Sequence, residues 1–279
     1  MSKLLTANFM RLKKDKILWI ASAAMLIISA YSIIVSGMTM RDIDDANNVQ
    51  NLNSVYFNFL PFAILFYSVF VALFTGTEYS DATIRNKIVI GHNRTDIYLS
   101  NYITCFAGTM VIFAALLIGG AFGVPYFGHW QGGIKNYIVV VMVCIFITAA
   151  LTAVLTFVGM LSANKAITVV IAMVISLVLV LMVSVMYNQL AEPEFTREFV
   201  SLSADGNVEF GPEIKNPAYV SGVRRNVYEW LLQFLPTGQN ILVSNEELTK
   251  PLINIIYSVI FTAAVNICGI FAFRKKDLK

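Results

Sequence analysis

Charged residues are scarce in this chain and absent from several long stretches. Asp, Glu, Lys and Arg make up 13% of the 279 residues, whereas apolar residues reach 57%; soluble proteins average about 25% charged residues. Each uncharged stretch is long enough to cross about 30 Å of hydrocarbon as a helix. There are six such stretches, and they cover residues 17–40, 55–75, 97–124, 136–164, 166–191 and 251–273. The composition therefore excludes an ordinary soluble protein.

An ATP-binding P-loop is also missing, because the motif G-x-x-x-x-G-K-[ST] occurs nowhere in the sequence. The nearest approach is GHWQGGIK at 128–135, which has Ile134 in the lysine position. The three cysteines are isolated within apolar stretches, and the two histidines flank opposite ends of one stretch, so neither a disulfide framework nor a metal site is expected. We therefore predict no enzymatic activity, cofactor or metal for this chain.

The apolar stretches predict an all-α membrane protein with six transmembrane helices, treated as one domain over residues 1–279. Helices satisfy their own backbone hydrogen bonds in lipid, whereas the strands of a membrane barrel would show an alternating pattern. Before the first span, Leu5, Phe9 and Leu12 recur at helical spacing opposite lysines. We predict an interfacial helix at 2–15; the alternative is a frayed basic tail that only sets topology.

The basic residues indicate how the spans are oriented. The N-terminus, the segment between spans 2 and 3, the turn at Lys165 and the C-terminus together carry 13 basic residues against five acids, a net charge of +8. The other side carries seven basic residues and twelve acids, a net charge of −5. Basic loops stay in the cytosol, so both termini are predicted to be cytosolic. Anionic lipid headgroups, and not nucleic acid, are the expected partners of the basic face.

The segment 76–96 is a compact charged shelf between two apolar spans. Ser80 is a suitable N-cap, Asp81 and Arg85 have the spacing of a favourable ion pair, and Gly91 can close a helix in the left-handed conformation. These signals predict a short helix that lies across the membrane surface. The alternative is a solvated loop whose charges only set topology.

Within the spans, a few residue types interrupt the apolar pattern. Asn58 and Pro61 predict a bend in span 2 that faces a possible cargo path. Gly119 and Gly123 form a G-x-x-x-G that allows a close helix contact, either within the chain or between two copies.

The segment 188–250 is the largest part predicted outside the membrane. Strand-like residues flank Asp205-Gly206, which predicts a small hairpin. An amphipathic helix comes next, and we expect Pro236 and Gly238 to end it. The segment is either a cap over the spans or a surface that binds cargo.

Four segments carry a family resemblance: KLLTANFMRLKKDKILWI at the start, GTEYSDATIRNKIVIGHNRTDIYLS at the shelf, FLPTGQ at 234–239, and FRKKDLK at the end. With these segments the chain resembles bacterial ABC-2 type transporter permeases over nearly its whole length. The resemblance implies a six-helix subunit whose cytosolic coupling helix, between spans 2 and 3, docks into a separate ATP-binding subunit. It assigns this coupling to Glu78, Tyr79, Asp81, Arg85, Asn86, Lys87 and Arg94. The family typically has Gly where Ala82 stands, a change expected to matter little because Ala favours helices.

The same resemblance implies a multi-pass protein of the bacterial cell membrane that exports an amphipathic peptide, antimicrobial or lipid-like cargo. ATP and magnesium are expected on the ATPase partner, and a second permease subunit, identical or related, is expected beside this one. Two alternatives remain open from the residues alone. A secondary carrier would work without an ATPase, although the spans offer it no evident ionisable group. A membrane sensor or assembly protein would move no cargo.

Overall fold

The structure, a computed structural model, describes residues 1–42, 51–162, 164–202 and 208–276. Six helical stretches in these ranges are long and apolar enough to cross a membrane, so the prediction of an all-helical protein with six spans is confirmed. Spans 1 to 6 are, in chain order, Lys16–Thr39, Leu52–Ser80, Arg94–Phe127, Gly133–Leu161, Lys165–Ala191 and Pro251–Lys275.

The first half of the chain forms helices joined by short turns, with no strand among its described residues. A short 3₁₀ turn, Leu60–Phe62, interrupts span 2. The helices are α1 (Ser2–Lys14), α2 (Lys16–Asp42), α3 (Leu52–Tyr56), α4 (Ala63–Ser80), α5 (Thr83–Val89), α6 (Arg94–Ala121) and α7 (Val124–Phe127). The helix α5 is the shelf helix and connects span 2 to span 3.

The second half contains two long spans, a hairpin, two shorter helices and a final span. Its elements are α8 (Gly133–Leu161), α9 (Lys165–Ala191), β1 (Phe195–Leu202), β2 (Val208–Lys215), α10 (Gly222–Phe234), α11 (Pro236–Ser244) and α12 (Pro251–Lys275). The two strands pair antiparallel, with Phe195 opposite Lys215. The predicted turn at Asp205-Gly206 lies outside the described residues.

Side-chain caps fix where two of the spans begin. The Asp15 carboxylate accepts hydrogen bonds from the backbone N–H groups of Ile17 (2.8 Å) and Leu18 (3.1 Å) at the start of α2. The Asn164 side chain accepts in the same way from Ala166 (2.9 Å) at the start of α9. Such caps satisfy N–H groups that the first turn of a helix leaves without partners.

Span 2 is interrupted at the position where a bend was predicted. The helix α3 ends at Tyr56, and α4 begins only at Ala63. Asn58 is exposed within this break and Pro61 lies in its 3₁₀ turn. The Asn240 side chain donates a hydrogen bond of 3.3 Å to the Leu60 carbonyl, which the broken helix leaves available. Whether cargo passes here stays a prediction.

The G-x-x-x-G motif packs span 3 against span 1 within one chain. A Cβ on Gly119 would overlap the Ser29 hydroxyl and lie 2.9 Å from the Leu26 carbonyl oxygen. A Cβ on Gly123 would overlap the Ile33 side chain. Both glycines therefore permit spans 1 and 3 to approach closely, so this face of span 3 is not available for a contact between two copies.

One end of the helical bundle collects both termini, the shelf and the turn before α9. The N-terminal amino group lies 3.8 Å from the Asp96 carboxylate. Arg94 donates a hydrogen bond of 2.6 Å to the Lys276 carbonyl, and Gly76 packs against the backbone of Lys165. The segments that were grouped by their basic charge are therefore close together; their cytosolic location stays a prediction. We call this the shelf end, and the opposite end the outer end.

At the outer end, the helix predicted before Pro236 forms as α10 and ends just before that proline, as predicted, but the role expected of Gly238 is wrong. The helix ends at Phe234, yet Pro236 begins α11 and Gly238 lies inside it. Proline is favoured in the first turn of a helix, where its missing N–H needs no partner. Gly238 allows α11 to approach α10, since a Cβ there would lie 2.7 Å from the Leu232 Cα.

The close packing of α2 on α6 leads to a prediction about the free energy of unfolding. Replacing Gly119 by Ala forces a methyl group against Ser29 and should lower the free energy of unfolding by about 1–3 kcal/mol. Ala114→Ser, which also adds one heavy atom but on an exposed position of α6, should change it little. Unfolding of the purified chain in SDS measures both. Equal stability of the two variants would contradict the close α2–α6 contact.

Candidate functional site

The shelf helix begins later than the sequence predicts. The helix α4 continues through Ser80, so Ser80 does not cap α5, and Asp81 is not in its first turn. Ala82 occupies the N-cap position with φ 54° and ψ 16°, in the left-handed region. This conformation costs a non-glycine residue about 1–2 kcal/mol. The expectation that Ala at position 82 matters little is therefore wrong, because the residue is not inside a helix.

The end of α5 agrees with the prediction. Gly91 adopts φ 96°, the left-handed closing position. Its N–H donates to the Ile88 carbonyl at 2.9 Å, and the next N–H, of His92, donates to the Lys87 carbonyl at 3.1 Å. These two bonds form a Schellman motif, which satisfies carbonyls that the last turn leaves free. The turn directs the chain straight into α6, for which Asn93 is the N-cap residue without a side-chain capping bond.

The inner face of α5 is anchored by packing. Ile84 is 1% exposed, and Ile88 packs beside it. The buried residues that surround Ile84 come from four other helices, and they are Leu4, Ile97, Tyr98, Met160 and Phe273. The shelf helix is thus packed against α1, α6, α8 and α12 at the shelf end.

A buried carboxylate lies directly behind this helix. Glu78, in the last turn of α4, has no exposed surface. Its Oε1 atom accepts from Arg11 Nη1 at 2.7 Å and from Lys87 Nζ at 2.6 Å, and its Oε2 atom accepts from Asn101 Nδ2 at 2.7 Å. Four segments, α1, α4, α5 and α6, therefore meet at one carboxylate.

A second set of contacts closes the network. Asn8 on α1 donates to Asn101 Oδ1 at 3.0 Å and accepts from Lys87 Nζ at 3.1 Å. Arg11 also donates to the Phe74 carbonyl at 3.0 Å, and its guanidinium lies 3.7 Å from the centre of the Phe74 ring. We call Asn8, Arg11, Glu78, Lys87 and Asn101 the Glu78 cluster. Its two cations and one carboxylate leave a net charge of +1.

Three members of this cluster, Asn8, Arg11 and Asn101, are not among the residues predicted from the sequence. The predicted apolar face of α1 has Leu5, Phe9 and Leu12, whereas the least exposed residues of α1 are Leu4, Asn8 and Leu12. Leu5 and Phe9 are half-buried. Leu4, Asn8 and Leu12 follow one another every four residues and so lie on one face of α1. This spacing was a signal that Asn8 is buried with the two leucines. Arg11 lies on the same side, and Asn101 was visible as an amide inside an apolar span.

Two more of the predicted coupling residues also hold the shelf end together. The Tyr79 hydroxyl donates to the Met160 carbonyl, and Lys276 Nζ lies 4.0 Å from the centre of the Tyr79 ring. Burial lowers the pKa of Lys276 to about 8. Arg94 donates to the carbonyls of Phe273 and Lys276, which ties the C-terminal end of α12 to the start of α6. Tyr79 and Arg94 therefore contact other helices of this chain.

The other predicted residues point away from the bundle. Asp81, Arg85 and Asn86 are exposed, and no ion pair joins Asp81 to Arg85 in the described parts of the chain, so the predicted pair is wrong. Beside them, Val89 is 80% exposed and Ile90 is 77% exposed. We call Asp81, Arg85, Asn86, Val89 and Ile90 the outer shelf face. It is the side of the shelf that points away from the bundle, and it lies at the shelf end, not at the outer end. Its two apolar members, Val89 and Ile90, are not among the residues predicted from the sequence.

This geometry defines a polytopic membrane protein with a firmly anchored, partly apolar shelf at one end. A family model described as ABC-2 family transporter protein matches residues 4–180, which include the shelf, the Glu78 cluster, the first four spans and part of the fifth. The chain belongs to the ABC-2 family. It is a transmembrane ABC permease, a membrane transport component of a kind that associates with an ABC ATPase subunit and lacks an ATPase of its own. No curated protein matches the chain.

The charge balance of the Glu78 cluster makes a prediction about stability. Glu78→Gln leaves Arg11 and Lys87 without a buried anion and should cost about 3–5 kcal/mol of unfolding free energy. Lys87→Met leaves the Arg11–Glu78 pair balanced and should cost clearly less. The exposed Asp81→Asn is the control and should stay within about 0.5 kcal/mol of the parent. SDS unfolding measures all three. A cost for Lys87→Met as large as that for Glu78→Gln would contradict the assignment of Glu78 as the centre.

Proposed function

We propose that this chain is the membrane-spanning subunit of an ATP-driven exporter that moves an amphipathic peptide, antimicrobial or lipid-like cargo out of a bacterial cell. A separate ATPase subunit, which binds ATP and magnesium, docks on the outer shelf face. A second permease subunit, identical or related, completes the transport path. The main observation behind the proposal is that the shelf helix has an exposed apolar surface, whereas its opposite face is packed against the spans.

The outer shelf face has the composition of a protein-docking surface. Val89 and Ile90 offer adjacent apolar side chains, and Arg85 and Asn86 lie on the same exposed side. Exposed apolar side chains flanked by polar ones are typical of interaction sites. The basic residues of the shelf end favour a cytosolic location, where an ATPase is available.

The Glu78 cluster supports transmission of movement from the shelf to the spans. Lys87 lies on α5, Glu78 at the end of span 2 and Asn101 in span 3. A displacement of α5 that left the spans in place would break the Lys87–Glu78 ion pair and leave the fully buried Glu78 carboxylate with fewer hydrogen-bond donors. We propose that α5 therefore moves together with the ends of spans 2 and 3 and with α1.

The same cluster argues against a secondary carrier. Glu78 is the one fully buried charged side chain among the described residues. Carriers driven by ions keep such a carboxylate available for the driving ion. Here both oxygens already accept bonds from Arg11, Lys87 and Asn101. Glu78 is thus suited to a structural role, and the energy for transport is proposed to come from the ATPase.

Co-purification from native membranes tests the proposal. The tagged chain should recover an ATP-binding protein in about equal amount. Val89→Asp places a charge at the centre of the docking surface and should reduce this recovery at least about tenfold, the loss expected for a central interface residue. Val223→Asp is the matched control, because Val223 is 79% exposed and Val89 is 80% exposed, but Val223 lies at the outer end.

Recovery of no nucleotide-binding protein, or equal losses for the two variants, would contradict the proposed docking surface. Cargo movement in vesicles that lack ATP would instead support the secondary carrier. No cargo movement with every partner present would support the sensor or assembly protein.

A further inference from the structure

A cavity of about 570 Å³ lies at the outer end, between α9, α10, α11 and α12. Its volume is in the range of small-molecule sites, about 300–1,000 Å³. The cavity lies near the end of α9 and the beginning of α12, opposite the shelf end. It is built entirely from residues after position 180, where the family match stops. Its chemistry is therefore a feature of this chain beyond the matched region.

The lining of the cavity is acidic. Glu229, Glu246 and Glu247 contribute three carboxylates, and Arg225 contributes the one guanidinium, so the lining carries a net charge of −2. The guanidinium is already engaged: Arg225 Nε donates to Glu229 at 3.0 Å and its Nη2 atom donates to the Leu190 carbonyl at 3.4 Å. Glu247 accepts a hydrogen bond of 2.8 Å from the Tyr187 hydroxyl. Glu246 has no such partner in the described ranges; the residue is exposed to solvent, and the partial burial of its carboxyl group raises its pKa.

A buried acceptor also lines the cavity. Asn254, near the start of α12, is 2% exposed, and its carbonyl oxygen Oδ1 has no hydrogen-bond partner among the described residues. A buried acceptor left without a donor costs about 1–3 kcal/mol. The lining thus has a carboxylate and an amide oxygen that both lack donors within the described part of the chain. A ligand that suits them carries N–H groups and a positive charge.

A metal ion fits these groups less well than an amine. No group of three or more His, Cys, Asp or Glu side chains within the described residues converges as metal ligands do. The lining also has an apolar part, formed by Leu190, Leu232 and Leu242. An ammonium group on an apolar body matches both parts, because the charge meets the acceptors and the body covers the leucines.

We propose that this cavity binds the protonated amine of a cationic amphiphile. The inference rests on the proposed transport function and narrows its cargo from amphipathic compounds in general to those with an amine. The cargo amine is held between Glu246 and Asn254 at the outer end of the path. Binding at this end requires only the permease, since every lining residue belongs to this chain.

Dansylcadaverine, an aromatic body with a primary amine, is the probe. The purified chain is placed in phosphatidylcholine nanodiscs without any ATPase, and fluorescence anisotropy measures binding. Saturable binding is expected, and N-acetyl-dansylcadaverine, which lacks the charge, should bind at least about tenfold more weakly, as loss of a charged hydrogen bond implies. Glu246→Gln should weaken the amine at least about fivefold for the same reason. Glu213→Gln, an exposed outer carboxylate on β2 away from the cavity, is the matched control and should leave binding unchanged.

Asn254→Leu separates a binding role from a structural one. It replaces an unpaired buried acceptor with an apolar side chain of similar size, so the thermal midpoint should stay the same or rise while probe binding weakens. Binding of the amine and its acetylated analogue with equal affinity would overturn the proposal, as would full binding by Glu246→Gln. Displacement of the probe by millimolar calcium that depends on Glu246 would overturn it in favour of a metal site. Because no ATPase is present, these results are independent of docking at the shelf end.

Discussion

The burial of one carboxylate organises the shelf end of this protein. A charged group removed from water is tolerated only where opposite charges and hydrogen bonds replace its hydration. Glu78 meets this requirement with Arg11, Lys87 and Asn101, which come from three different helices. The N-terminal helix α1 and the three consecutive helices α4, α5 and α6 are therefore fixed relative to one another. The shelf helix, its exposed face and the start of span 3 all take their positions from this contact.

The shelf helix depends on that arrangement because it is too short to be stable alone. Isolated helices shorter than about 12–15 residues are marginal in water, and α5 has seven. It also begins with a strained residue, Ala82. The Lys87–Glu78 ion pair, the buried Ile84 and the Schellman motif at Gly91 offset these costs. An anchored helix with one free apolar face is suited to receive a partner, whereas the cavity at the outer end is formed by different elements with the opposite charge.

The sequence predicts the spans well because lipid imposes a length and a polarity that any helix crossing it must have. Local backbone signals were also sufficient at Gly91, where the left-handed conformation depends on neighbouring residues alone. The Glu78 cluster was not predictable in this way, since Arg11 and Lys87 approach Glu78 only in the folded chain. The expected Asp81–Arg85 pair assumed one continuous helix, but α4 and α5 meet at Ala82 and separate the two side chains.

Tertiary contacts also decided the roles of motifs that the sequence left open. The glycines of the G-x-x-x-G motif serve the packing of span 1 on span 3, although the motif alone also permits pairing of two chains. Pro236 follows the end of α10, as expected, but it also begins α11, because a proline that cannot continue one helix is well suited to the first turn of the next. The buried face of α1 differs from the predicted one for a similar reason. Asn8 lies on the buried side because it makes hydrogen bonds with Asn101 and Lys87.

The central claim is that the Glu78 cluster makes α1 and α5 a single structural unit with the ends of spans 2 and 3. Hydrogen exchange of the backbone amides, monitored by mass spectrometry in increasing denaturant, tests it most directly. The claim predicts that α1 and α5 lose protection together, with the same opening free energy. Exchange of α5 at the rate of an isolated seven-residue helix, while α1 stays protected, would contradict it.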